Sequence, residues 1–411
     1  MKNIFRNAAL LSASLFALNA AAEGAVSQGP TLSLGGSITA AGVGVNQSNR
    51  RQPNPREVNF VSKGNLVVNV GGTSNNGLGY GAMAVLELDR AKGESDRVKE
   101  LYVYTNGDSF GNVKIGDTEG IVQTMMYSGT DVLGGLGGAG GDLKDLINVT
   151  RHVDIRPGIA AANDKATKLV WVSPEMKGFQ IGLDFTPSTK LNGKAGRGLN
   201  LSSNGDLKSA TGTPYARNLM GAGLSYNKAF ANYNVGLYLV GHTGKTRNDQ
   251  TNQAALISTD KFHDTKGYQV GALIDYQNWQ IGASYWDNNK SAIRYGGQNA
   301  QPRQTHTKGF DAAVAYDFAK NANVGIGYTQ SRRKVQGGDA KSDVITATMD
   351  YVVAPGWVAF AEVDHFTLKA PAVAIADGNL KTNGGDIFAD RSTVATNNHG
   401  TALMIGTKLR F

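Results

Sequence analysis

Four basic residues, Arg97, Lys99, Lys114 and Lys168, stand in stretches where polar and apolar residues alternate. Each is therefore held on one side of an extended segment. Arg97 and Lys99 share a side and oppose Tyr102 and Tyr104; Lys114 opposes Val113 and Ile115; Lys168 opposes Leu169 and Trp171. Fixed charges arrayed this way create an electrostatic surface rather than a reaction centre. A lysine at the middle of a hydrocarbon layer costs roughly 2–4 kcal/mol, so if the apolar neighbours meet lipid the lysines face the other way. Residues 120–165 form a long connecting segment that includes the acids Asp131, Asp142, Asp145 and Asp154, the bases Arg151 and Arg156, and a glycine run over residues 134–141.

Conventional chemistry-bearing motifs fall away. The run Gly135–Gly140 spells GxGxxG, but it lies in a connection with no strand-to-helix context for a dinucleotide. The six histidines (His152, His242, His263, His306, His365 and His399) show no metal-ligand spacing, and with no cysteine a zinc centre is not expected. No GxSxG nucleophile elbow occurs. Basic residues are scattered among acids without a basic helix or an RNA-type aromatic motif, so nucleic acid is not an expected partner. The sequence predicts no enzyme, no cofactor and no metal.

The elements that must position the charges are strands. Alternation of period two recurs from about residue 31 to the end, as in Leu66, Val68 and Val70 against Asn65 and Asn69, and in Phe310, Ala312, Val314, Tyr316 and Phe318 against Asp311 and Asp317. A slip of one residue would exchange the two faces wholesale. Seven short turns, such as residues 228–232 and 277–278, alternate with eight longer polar connections near 46–57, 91–97, 120–165, 186–218, 241–266, 287–308, 330–343 and 366–400, which gives sixteen strands. Segments of about ten residues with short turns on one side and long loops on the other are what a membrane β-barrel requires. Tyr80, Tyr104, Trp171, Trp279, Tyr316 and Trp357 sit near strand ends, where interfacial aromatic girdles are expected. An apolar content of 41% is low for a soluble chain of 411 residues, yet suits a barrel whose interior is wet.

Residues 1–22 are predicted to be a signal peptide, with Lys2 and Arg6 ahead of an apolar run over residues 8–18 and cleavage after Ala22. That run is too short to span a bilayer, which needs roughly 20 residues. Residues 23–411 then form a single barrel domain whose net charge falls from +8 to +6 on removal of the leader.

Three stretches resemble the trimeric general porins of Gram-negative bacteria: residues 97–120 (RVKELYVYTNGDSFGNVKIGDTEG), residues 168–185 (KLVWVSPEMKGFQIGLDF), and the terminus, with Ile405, Leu409 and Phe411 at alternate positions. The resemblance runs over nearly the whole mature chain at low identity. It implies an all-β, sixteen-stranded antiparallel barrel in the outer membrane, with the third long loop (residues 120–165) folded inward as a constriction. It also implies a homotrimer passing small hydrophilic solutes and ions, and a terminal aromatic, Phe411, read by the outer-membrane barrel assembly machinery. By the same resemblance, Asp131, Asp142 and Asp145 on the loop face Arg97, Lys99, Lys114 and Lys168 on the wall, Lys99 matching the family's basic position most closely; Arg151 and Arg156 depart from a purely acidic loop. A substrate-selective channel, and a barrel adhesin or structural protein, are the competing expectations; a barrel enzyme lacks its catalytic pair, and a soluble β-sandwich lectin would not partition with membranes.

Overall fold

The computed structural model describes residues 28–49, 57–88, 98–149, 153–159, 165–189, 215–247, 261–291, 294–296, 307–335, 338–371 and 397–411. Ala22 and the rest of the expected leader, Arg97 and Arg151 lie outside the described residues. In chain order the strands are β1 (Gln28–Gln47), β2 (Val58–Thr73), β3 (Gly79–Glu87), β4 (Val98–Gly107), β5 (Gly111–Asp117) and β6 (Thr167–Val172). There follow β7 (Phe179–Ser188), β8 (Tyr215–Ala229), β9 (Tyr233–Arg247), β10 (Lys261–Phe262), β11 (Thr265–Tyr276) and β12 (Trp279–Asp287). The last six are β13 (Arg294–Gly296), β14 (Thr307–Ala319), β15 (Ala322–Val335), β16 (Gly338–Ala354), β17 (Trp357–Lys369) and β18 (Asn397–Arg410). Strands β10 and β13 pair only with each other; the other sixteen form one closed antiparallel barrel, as expected from the count of turns.

Closure is made between the first and last strands. Ser37 pairs with Arg410 and Gly44 with Leu403, and the ladder continues through Phe411, whose N–H donates to the Gly36 carbonyl at 3.1 Å while Gly36 N–H donates to Phe411 O at 2.9 Å. Each strand shows two faces. On β17, Glu362 and Asp364 are 1% and 0% exposed, whereas Val363 between them is 40% exposed. The exposed face carries an apolar band around the barrel, from Ile38, Leu101 and Ile115 through Leu237, Ile281 and Ile326 to Ile405. The covered face carries most of the buried polar side chains. Short turns use residues that reach positive φ: between β6 and β7, Lys177 (φ 55°) and Gly178 (φ 97°) supply the geometry that matches strand twist in a two-residue hairpin.

Three local expectations change. Residues 330–335 and 338–343, expected in a loop, are strand: β15 and β16 stay paired up to Val335 and Gly338, because hydrogen bonding extends the hairpin past the apolar band. Residues 241–247 and 265–266 likewise belong to β9 and β11. Tyr104 is no girdle residue; its hydroxyl donates to Asn69 Oδ1 at 3.0 Å on the covered face. Trp279 and Tyr316 do occupy the exposed face, as a cross-strand pair with ring centroids 4.5 Å apart.

The exposed apolar band sets a stability test. Replacing Ile326, 54% exposed in mid-strand, by arginine should lower the unfolding free energy of the barrel in lipid vesicles by roughly 2–4 kcal/mol, read from urea titration of tryptophan fluorescence.

Candidate functional site

The connection between β5 and β6 holds the two short helices α1 (Ile121–Met125) and α2 (Leu143–Leu146) and two single 3₁₀ turns. Although it reads as a polar loop, it is studded with apolar residues, and they are buried against covered faces of strands. Ile121, Val122, Met125 and Ile159 pack with Val170, Tyr238, Val240 and Trp286 of β6, β9 and β12. Val132 and Leu133 pack with Ala313 and Ala315 of β14. Leu136, Ala139, Leu143, Ile147 and Ile155 join Val43, Val344, Phe360 and Met404 of β1, β16, β17 and β18. A fully buried side chain of this size contributes about 1.5–3 kcal/mol, so the loop is part of the packed structure. The signal was in the sequence: a solvated loop has no use for so many large apolar residues.

Wall carboxylates hold the loop's backbone. Asp184 on β7 accepts the Ile121 N–H at 2.6 Å, and Asp311 on β14 accepts that of Gly129 at 2.6 Å. Asp350 on β16 accepts the Gly135 N–H at 2.7 Å. Glu362 on β17 accepts three, from Leu136 (2.5 Å), Gly137 (3.0 Å) and Gly138 (3.2 Å). Lys408 on β18 donates to the Gly135 carbonyl between these carboxylates. Successive N–H groups turned to one side make a concave anion seat, and its occupant here is the protein's own glutamate. Gly135 (φ 58°) serves that seat twice over, since a Cβ there would stand 2.2 Å from Glu362 Oε2. On the wall, a Cβ at Gly282 would stand 2.7 Å from the Gly129 carbonyl, so that close approach also requires glycine. The GxGxxG run is thus a loop anchor. Sequence reading missed Asp184, Asp311, Asp350 and Glu362, because an acid in an alternating strand gives no hint of its partner.

The residues singled out from sequence lie as follows. Asp142 meets a wall base, Lys63 on β2, at 2.5 Å. Asp131 turns back into its own loop, where it accepts Ser128 N–H at 2.7 Å, and burial holds its carboxyl above the ordinary range. Asp145 pairs with Arg156 of the same loop at 3.2 Å. Lys99 pairs with Glu87 of β3 at 2.6 Å. A register shift between Val85 and Leu86 displaces the start of β4, so the expected division of that strand changes: Leu101 and Val103 are exposed, while Tyr102 is buried on the side of Lys114. Lys114 Nζ lies 5.3 Å from the centre of the Tyr102 ring. Lys168 is buried and donates to the carbonyls of Thr118 and Ala166 at the roots of the loop. The loop acids and Lys99, Lys114 and Lys168 are therefore not brought into mutual contact; the acids that touch the loop are on the wall.

Replacing Glu362 by alanine should release the glycine run. Three hydrogen bonds to a charged acceptor are lost, at a cost of roughly 2–3 kcal/mol after the wall relaxes. Limited proteolysis of the folded protein should then cut within residues 130–145, where the parent resists.

A family profile described as Gram-negative porin matches residues 8–371. An uncharacterized protein of Rickettsia conorii is 22% identical over 404 residues, 87% of this chain and 86% of its own. One of Rickettsia typhi is 28% identical over 276 residues, 60% of this chain, and the match spans only 58% of that relative's length. Among solved structures, an anion-selective porin from Comamonas acidovorans superposes with a TM-score of 0.57 at 13% identity, covering 93% of this chain and 100% of that one. A loop-deletion mutant of OmpT, an outer-membrane protein of Vibrio cholerae, gives 0.54 at 13% identity with the same coverages. With a closed sixteen-strand barrel and a family match over most of its length, the chain belongs to the Gram-negative porins.

Proposed function

We propose that the protein is a water-filled diffusion channel for small hydrophilic solutes and ions, with the covered face lining the lumen and residues 120–165 lying across it as the constriction. One observation carries the reading. This single loop meets side chains from β7, β12 and β14 through β18 to β1 and β2, that is, from most of the circumference of a closed barrel. A segment on the outside of the barrel could not reach them all. The pore then passes between the loop and the stretch of wall from β3 to β6, where Lys99 is exposed, Lys114 and Lys168 are buried beside it and Arg97 is expected; a pore's radius and fixed charges at its narrowest point set its selectivity.

The same reading has the chain exported with cleavage after Ala22, inserted by the barrel assembly machinery through Phe411, and assembled as a homotrimer. Phe411 is 61% exposed at the closing seam, which leaves its ring accessible. A substrate-selective channel draws some support from Val67, Met83 and Tyr102, an apolar and aromatic cluster on the covered faces of β2, β3 and β4.

Reconstituted protein should open discrete ion-conducting steps in planar bilayers, and the absence of any step would remove the channel reading. Changing Lys99 and Lys114 to glutamine should move the reversal potential under a salt gradient toward cation selectivity; an unchanged potential would remove both from the constriction. Deleting Phe411 should reduce heat-modifiable, folded protein in the outer membrane while export continues, as judged by fractionation.

A further inference from the structure

Two tyrosines share the covered face of β4. Tyr102 is buried with Val67 and Met83, in a cluster to which no loop residue belongs. Tyr104 borders that cluster and is half-buried, its ring centroid 6.4 Å from that of Tyr102. Register sets Tyr104 beside two glycines: it pairs with Gly81 of β3, and Gly81 pairs with Gly71 of β2. The ring lies across both. A Cβ at Gly81 would stand 2.5 Å from Tyr104 Oη and 2.6 Å from its Cζ, and one at Gly71 would stand 2.9 Å from Oη. Either would push the ring off the wall. Its far end is tied down, because Oη donates to Asn69 Oδ1 at 3.0 Å. A ring held in this way keeps one face on the backbone and turns the other toward the lumen.

The row nearer the short turns repeats the arrangement. Asn106 of β4 pairs with Gly79 of β3, and its amide fills the space that a Cβ at Gly79 would need. Beside it on β5 stands Asn112, whose Nδ2 is buried with no hydrogen-bond partner among the described residues. On the opposite side, Asn69 Nδ2 donates to Ser33 Oγ of β1 at 3.5 Å. From Tyr104 to the short turns, the covered face of β1–β5 carries hydroxyls, amides and glycine, and among the described residues no charge. Lys114 pairs in register with Tyr104 but reaches toward Tyr102, its Nζ 5.3 Å from that ring.

The chemistry of this patch selects among solutes. An aromatic face is the negative side of the ring's quadrupole and attracts polarised C–H groups. Amides and hydroxyls around it both donate and accept. An ion would find no opposite charge here, and a purely apolar solute would leave the amides without partners, at a cost. A pyranose ring satisfies both demands, since it offers axial C–H groups on one face and hydroxyls around its rim.

We propose that Tyr104, with Ser33, Asn69, Asn106 and Asn112 around it, forms a binding subsite for neutral saccharides on the lumen wall, a sugar ring stacking on the tyrosine. The inference rests on the covered face being the lumen, and it deepens the channel reading by naming a class of solute.

The test uses full-length folded protein in neutral detergent, with cellobiose as the probe and sorbitol, an open-chain polyol without a ring face, as its control. Saturation-transfer NMR reads binding whether or not the protein conducts. Ring protons of cellobiose should take up saturation from the protein, and sorbitol should not. Tyr104→Leu should weaken cellobiose binding about fivefold to tenfold, the loss of one aromatic contact. Tyr104→Phe, which keeps the ring face, should stay close to the parent, and Tyr276→Leu, on the exposed face, should leave binding intact. Heat-modifiable mobility reports the folding of each variant; should Tyr104→Leu fail that check, Tyr104→Met takes its place. Unchanged binding in the folded leucine or methionine variant, an equal signal from sorbitol, or a loss in Tyr104→Phe as large as in Tyr104→Leu would each overturn the proposal. Conduction in bilayers without cellobiose binding would sustain the channel and sink the subsite. Binding that follows the expected pattern in protein that never conducts would sustain the subsite and sink the channel.

Discussion

The structure depends on the pairing of every backbone polar group within the hydrocarbon layer. An open sheet edge there would leave a row of N–H and C=O groups with neither water nor partner, at several kcal/mol for each. The barrel meets this constraint at the seam between β1 and β18, where eleven residue pairs and the terminal Phe411 complete the ladder. Closure then dictates the rest. The exposed face of each strand must be apolar, the other face is free to be polar, and the interior space must be filled or left to water.

One connection packs its apolar residues against the covered faces of many strands. Its backbone is irregular, so its N–H groups need partners that a regular element would have supplied internally. Asp184, Asp311, Asp350 and Glu362 supply them, spaced around the wall on β7, β14, β16 and β17. A carboxylate bonded to several N–H groups is a strong, directional tie, and the apolar clusters on either side exclude competing water. Glycine in the loop and on the wall allows the two backbones to approach closely enough for both.

This arrangement redistributes charge relative to a simple opposition of acidic loop and basic wall. Wall acids are occupied by the loop's backbone, while Asp131 and Asp145 are tied within the loop itself. Lys99 and Lys114 remain on the stretch of wall from β3 to β5, beside Glu87 and the Tyr102 ring.

Alternation by itself determined the number of strands, their two faces and the short turns, because a period of two is imposed by strand geometry and a lipid-facing surface tolerates few exceptions. It also placed Leu403, Ile405, Leu409 and Phe411 on one face. It could not see the shift at the start of β4, since one extra residue in a strand leaves composition unchanged and reverses the faces beyond it. Nor could it pair Glu362 with Gly137, 225 residues away, or set Tyr104 beside Gly81 and Gly71. Those neighbours are decided by register and closure, which join residues distant in the chain through backbone hydrogen bonds indifferent to side-chain identity. The strands were legible one at a time; the loop anchors and the tyrosine platform came into being only when sixteen of them closed.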